Sequence, residues 1–310
     1  MKSKPMSIKK GIYFALFAGI LWGASLGAFS RCLSELGFLP MQITAVRVTL
    51  SALLFVISAL VHNRQAFRIQ IKDGWIFFCA GLVSITAFSW CYFTSTKYCS
   101  LAVAEILSFT SPIWVLLLSA LLFREHITKL KKLSIFLVLF GCILVCGLPR
   151  GVENISVVGI LTGLMSGVAF ATYTIFTRFA VAKYTTLTIN LYSFIIAALS
   201  AIIIGKPAET LQMVVTPEAI QVIVFLGTLC GALPYYLYTK AMEVLDNSTA
   251  CILTTIEPVV ATVVSVYFYH EKLYLSTIIG IIIIITAVTV VSLKNNGTLP
   301  RIHSYIKPSG

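Results

Sequence analysis

The apolar positions of this chain fall into ten runs of roughly 20 residues, separated by polar connections of at most about a dozen. The runs cover 11–32, 42–61, 74–96, 100–123, 132–149, 156–177, 186–205, 218–239, 248–269 and 273–293. As helices they are long enough to cross the roughly 30 Å hydrocarbon core of a bilayer. The pattern predicts an all-α polytopic membrane protein with ten transmembrane helices. It leaves no soluble domain to hold an active site. The first run, about 20 residues behind the basic stretch MKSKPMSIKK, is too long for a signal-peptide core and is read as the first helix. The polar stretch 294–310 is expected to be a tail.

Two of the runs are copies of one element. Ala102 to Glu125 aligns with Ser248 to Glu271 at an offset of 146, which places Ala104 on Ala250, Ser108 on Thr254, Pro112 on Pro258 and Glu125 on Glu271. Small residues four apart recur in the same way, Gly11, Ala15, Gly19 and Gly23 in the first run and Gly159, Gly163, Gly167 and Ala171 in the sixth. Such faces let a second helix approach closely. Gly81 and Tyr92 match Gly227 and Tyr238, and Ser134 and Gly141 match Gly280 and Ala287. The chain therefore divides into an N-terminal tail, 1–10, a first five-helix repeat, 11–150, a second, 155–293, and the tail 294–310. Because five is odd, the second repeat enters the membrane from the opposite side. The expected relation is a pseudo-twofold axis in the membrane plane, an arrangement that recurs in secondary transporters.

Charge decides orientation. With the N-terminus inside, 17 of the 23 Lys and Arg residues fall on the inner side, which predicts that both termini are cytoplasmic and the protein sits in the cell membrane. The net charge of +12 is scattered over short loops and forms no basic stripe, so nucleic acid is not an expected partner. Small metabolites and the lipid bilayer are. Most of the eight cysteines lie inside apolar runs with no CxxC pair, and the four histidines lie in loops, at a run's end or in the tail. This argues against a metal site, a cofactor or an intramembrane enzyme. A phosphate-binding Walker sequence is absent, so ATP is not expected to drive the chain.

The five-plus-five layout, with Trp22-Gly23, Arg47, Ser111-Pro112 and Glu125, and Glu257-Pro258 and Glu271 in register, resembles the EamA-type transporters of the drug/metabolite transporter superfamily. The resemblance covers about residues 8 to 294. It implies a ten-helix fold around a central cavity and transport, often outward, of small metabolites such as amino acids.

Three ionisable residues lie inside predicted spans: Arg47, Glu105 and Glu257. Glu257 stands about nine residues into its span, roughly 14 Å deep at about 1.5 Å per residue, where a charge is costly. Its readings are a proton-coupling carboxylate, a ligand for an ammonium group, or a hydrogen-bonded tie between helices. Arg47 and Glu105 share a shallower depth and are candidates for an ion pair, an outer gate or ligands to a substrate's charge. Glu125 and Glu271 read as helix-end anchors. Trp22, Tyr92, Tyr173 and Tyr235 complete the candidate cavity, able to cage an organic cation or stack on an aromatic substrate. The segment Gly231 to Tyr236, with Pro234, is expected to bend its helix.

The function these features predict is a secondary transporter, in the exporting direction, of an amino acid or related amine. The alternatives are a choline or organic-cation uptake permease and, in another class, a channel or assembly or sensor subunit.

Overall fold

The computed structural model describes residues 6–99, 101–145, 156–269 and 273–294. Within them the chain is helical with no strand, and nine helices are long and apolar enough to cross a membrane. The first repeat contributes α1 (Ile8–Glu35), α2 (Pro40–His62) and α3 (Gly74–Phe78, Cys79–Thr86 and Ala87–Tyr98). It continues with α4 (Leu101–Ser108 and Ser111–Phe123) and α5 (Lys129–Val145). The second contributes α6 (Val157–Val181), α7 (Thr186–Ile204) and α8 (Pro217–Phe225, Leu226–Ala232 and Leu233–Ala241). It closes with α9 (Asn247–Thr254 and Glu257–Tyr269) and α10 (Leu275–Lys294). The fifth predicted span is described over 17 residues as α5. One short helix, Pro207–Met213, caps the α7–α8 connection, where a plain loop is expected from the sequence.

The repeats are interlocked. Helix α1 packs on α8 and α9 of the second repeat, and its counterpart α6 packs on α3 and α4 of the first. Helices α2 and α7 pair with each other, as do α5 and α10. This contact pattern is what an axis exchanging the repeats produces. The small-residue stripes make the close crossings. A methyl group on Gly19 would lie 2.6 Å from the Thr254 carbonyl oxygen, and one on Gly167 would lie 2.6 Å from Thr110 Oγ1.

Both copies of the duplicated element break at the same step. In α4 the helix stops at Ser108 and restarts at Ser111; in α9 it stops at Thr254 and restarts at Glu257. The prolines account for this. A proline ring collides with the carbonyl four residues earlier, which is Ser108 for Pro112 and Thr254 for Pro258, and so the helix cannot run through. A second local feature is also duplicated: α3 and α8 each contain a π-helical segment, Cys79–Thr86 and Leu226–Ala232. The expected bend near Gly231 and Pro234 takes this form, with Pro234 opening the last part of α8.

Large apolar side chains such as Leu121 and Ile203 cover the outside of the bundle, facing the lipid tails. The polar side chains lie between the helices. Glu271 lies outside the described residues.

Candidate functional site

The two helix breaks meet in one cavity at the centre of the bundle. Its wall consists of Ser108, Phe109 and Ser111 at the break of α4, Thr254, Thr255 and Glu257 at the break of α9, Trp22 and Leu26 from α1, Phe88 and Tyr92 from α3, Glu105, Phe170 and Tyr235. Glu257 is fixed by the close crossing of α1, since a methyl on Gly23 would collide with its carbonyl oxygen. Glu105 stands over Gly27, one turn further along α1. The two carboxyl groups border the same cavity. No Lys, Arg or His is among the described residues of the wall.

The aromatic part of the wall is held rigidly. Trp22 packs edge-on against Tyr235 with ring centres 5.3 Å apart, and against Phe170 at 5.7 Å. Its indole N–H donates to the Cys230 carbonyl at 3.1 Å. That carbonyl belongs to the π segment of α8, where wide turns expose main-chain oxygens to other helices. Ser51 donates to Gly227 in the same segment at 2.7 Å.

Of the seven residues expected to form the site, five line the cavity: Glu257, Glu105, Trp22, Tyr92 and Tyr235. Tyr173 stands one layer back. It is buried, its hydroxyl bonds Thr239 at 2.9 Å, and its ring packs on Tyr235 at 5.0 Å. Arg47 is also withdrawn, with no exposed surface. Its guanidinium donates to the Cys230 carbonyl at 3.2 Å and to the Ser89 hydroxyl, with its carbon 5.8 Å from the centre of the Tyr235 ring. Among the described residues no ion pair joins Arg47 to Glu105. Equal depth in the membrane makes them candidates for a pair, but depth does not fix direction. They face different neighbours because α2 turns Arg47 toward α8 and α4 turns Glu105 toward α1.

Ser108, Ser111, Thr254 and Thr255 enter the wall because the breaks do, and the match of Ser108 with Thr254 and of Pro112 with Pro258 at the 146-residue offset is the signal in the sequence. Phe88 and Phe170 carry no such signal among so many aromatics.

A polar cluster closes the end of the bundle that holds the start of α1. Lys131 of α5 bridges Glu125 at 2.6 Å and Asp246 at 2.9 Å, and Asp246 caps α9 by accepting from the Thr249 amide at 2.8 Å. Arg178 of α6 donates to Asn247 Oδ1 at 2.5 Å and to the carbonyls of Met242 and Leu245. Asn247 in turn donates to Ser119 of α4 at 3.0 Å. Glu125 is thus a helix-end anchor, as expected, but its partner is Lys131 rather than the adjacent Arg124. Burial opposes the charge on Asp246, yet Lys131, Glu125 and the Thr249 amide outweigh it and hold Asp246 down at about 2. Burial and the neighbouring Asp246 charge push Glu125 above the ordinary glutamate value, against the pull of Lys131. At the opposite end the ion pairs among the described residues, Arg31–Glu35 and Lys206–Glu209, are local and tie no helices together.

Comparison with known proteins gives a consistent result. The model of the EamA-like transporter family matches residues 9–147 and 157–293, one copy on each repeat. An inner membrane transporter of Salmonella typhimurium, YicL, itself uncharacterized, is 25% identical over 93% of this chain and 97% of its own length. An uncharacterized transporter of Archaeoglobus fulgidus is 26% identical over 93% of this chain and all of its own. A solved crystal structure with 20% sequence identity superposes with a TM-score of 0.74 over 92% of this chain and 97% of its own, a likeness of fold.

Proposed function

The chain belongs to the EamA-like transporter family, and from that premise we propose that it is a secondary carrier that exports a small metabolite, an amino acid or related amine, by alternating access. The observation that carries this reading is the pairing of Glu105 and Glu257 in a cavity built where the broken helices of both repeats meet. Broken helices at mid-membrane put main-chain and side-chain polar groups where a substrate can use them, and inverted repeats supply two related conformations around one site.

The cluster around Lys131 and Arg178 serves as the inner gate. With both termini cytoplasmic, as the distribution of Lys and Arg favours, the end closed by cross-helix bonds faces the cytoplasm. The resting arrangement then gives the cavity to the outer side. Glu257 is the proton-coupling group. It lies where α9 restarts, on the repeat interface, and a carboxyl there takes up or releases a proton as the cavity changes sides. A second reading, uptake of choline or another organic cation, is favoured by the aromatic rings of Trp22 and Tyr92 beside two carboxyl groups.

The test is accumulation of radiolabelled amino acids, choline, purines and nucleosides in proteoliposomes, with and without a pH gradient, for the wild type and Glu257→Gln. Gradient-dependent accumulation that the variant loses supports a proton-coupled carrier. Accumulation by the variant equal to that of the wild type removes Glu257 from coupling, and no accumulation of any compound overturns the carrier reading.

A further inference from the structure

We propose that the substrate of this cavity is an organic cation, an amine that needs no carboxylate, seated between Glu105 and Glu257 with its apolar part against Trp22, Phe88, Tyr92 and Phe170. The inference deepens the carrier reading and rests on it. A zwitterionic amino acid is best held by a charged partner for each of its charges, and the charged side chains of the wall are of one sign only.

Both carboxyl groups reach the cavity, and no basic side chain is among its described lining residues. The nearest candidate for a carboxylate ligand, Arg47, has two of its nitrogens committed to Cys230 and Ser89, and is walled off behind Tyr235. The other route to an anion site is a helix N-terminus, and here each restarting helix lacks one of its first amide donors. Pro112 and Pro258 have no amide hydrogen to offer. The next amides are already used, Ile113 bonding the Thr110 carbonyl at 3.0 Å and Val259 bonding the Ile256 carbonyl at 3.1 Å. The charged groups of the wall are a pair of acids in a low-dielectric cavity, which an ammonium group neutralises in one step, beside rings whose faces attract cations.

Three probes that share a phenyl ring and differ in charge test this: phenethylamine, phenylalanine and phenylacetate. Radiolabelled phenethylamine is bound to the purified full chain and displaced by each compound unlabelled. The expected result is displacement by phenethylamine at a concentration at least ten-fold lower than by phenylalanine, and none by phenylacetate. Glu105→Gln, a substitution of the same shape, is expected to weaken phenethylamine binding about ten-fold, and the comparison of probes on the wild type stands whether or not that variant folds. Equal displacement by phenylalanine, absence of phenethylamine binding, or undiminished binding to a folded Glu105→Gln overturns the proposal. A chain that accumulates a zwitterion with Glu105 dispensable remains a carrier while the cation site fails. One that binds phenethylamine and moves nothing keeps the cation site while the carrier reading fails.

Discussion

Glu105 and Glu257 face one cavity, yet the repeat makes neither the counterpart of the other. The 146-residue offset carries Glu105 onto Cys251 and Glu257 onto Ser111, and the Cys251 thiol and Ser111 hydroxyl touch each other. The two acids and the thiol–hydroxyl pair are therefore images across the pseudo-twofold axis. Glu105 borders the cavity, and Cys251 is buried outside its wall.

Exchange of the two repeat conformations would reverse this. Opening of the end now closed exposes Cys251, and sealing of the other end covers Glu105. With Cys251 as the only cysteine, the other seven being changed to Ser, the protein is expected to react slowly with a membrane-permeant maleimide. Addition of Asp246→Asn should speed labelling at least ten-fold. Equal labelling rates in the two backgrounds would show that the Asp246 cluster does not hold this side shut.

The same cluster predicts a pH dependence. Asp246 is held at about 2, below its ordinary value of roughly 4, so its contribution is present above about pH 4 and is lost as pH falls toward 2. Glu125 is shifted upward, so folding favours its protonated form, and its contribution is lost as pH rises through the raised value. The cluster is most stable between these limits. Glu125→Gln, a neutral mimic of the protonated form, should keep the gate closed and abolish its weakening at higher pH, as read from the labelling rate of Cys251. Retention of the wild-type pH profile by this variant would count against a protonated Glu125.

The crossing of α1 over α9 tolerates no side chain. Gly23→Ala drives a carbon into the main-chain oxygen of Glu257, which only a shift of one helix relieves, whereas a methyl added at Gly74 would meet nothing within 4 Å. Gly23→Ala is expected to lower the thermal midpoint in detergent by several degrees and to abolish transport. Gly74→Ala is expected to change neither. Wild-type behaviour of both proteins would mean that α1 and α9 are less closely packed than described.

Arg47 ties α2 to α3 and α8 through a fork that lysine cannot reproduce. Arg47→Lys should cost about 1–3 kcal/mol of stability, the usual cost of hydrogen bonds to a charged group. The ranking of substrates should stay the same. A changed ranking in competition assays would make Arg47 a substrate ligand.

The helices, the repeat and the break points were legible in the sequence because each rests on a local rule: apolar length, spacing of small residues, and the collision of Pro112 and Pro258 with the preceding turn. Glu105 and Glu257 were legible as costly charges. What was not legible is which way a side chain at a given depth turns. Arg47 and Glu105 sit at one level and diverge, and Tyr173 and Tyr235 pack edge to face with only Tyr235 reaching the cavity. The partnership of Lys131 with Asp246 joins residues 115 apart and has no local signature.

The π segments of α3 and α8 bear on how such a sequence should be read. Along α3 from Trp75 to Trp90 the exposed apolar side chains are Trp75, Phe78, Val83 and Trp90, at steps of three, five and seven, and Tyr98 follows eight further on. The step of five falls across Cys79–Thr86, where one wide turn takes up the extra residue, and the steps of three and seven are ordinary helical ones. The wide turn acts as a phase correction: it lets one stripe face lipid along the whole helix. A helical wheel of constant pitch drawn through this segment misplaces the far half of the helix by about 100°, and deletion of a single residue there would rotate one end of the helix by about 100° against the other.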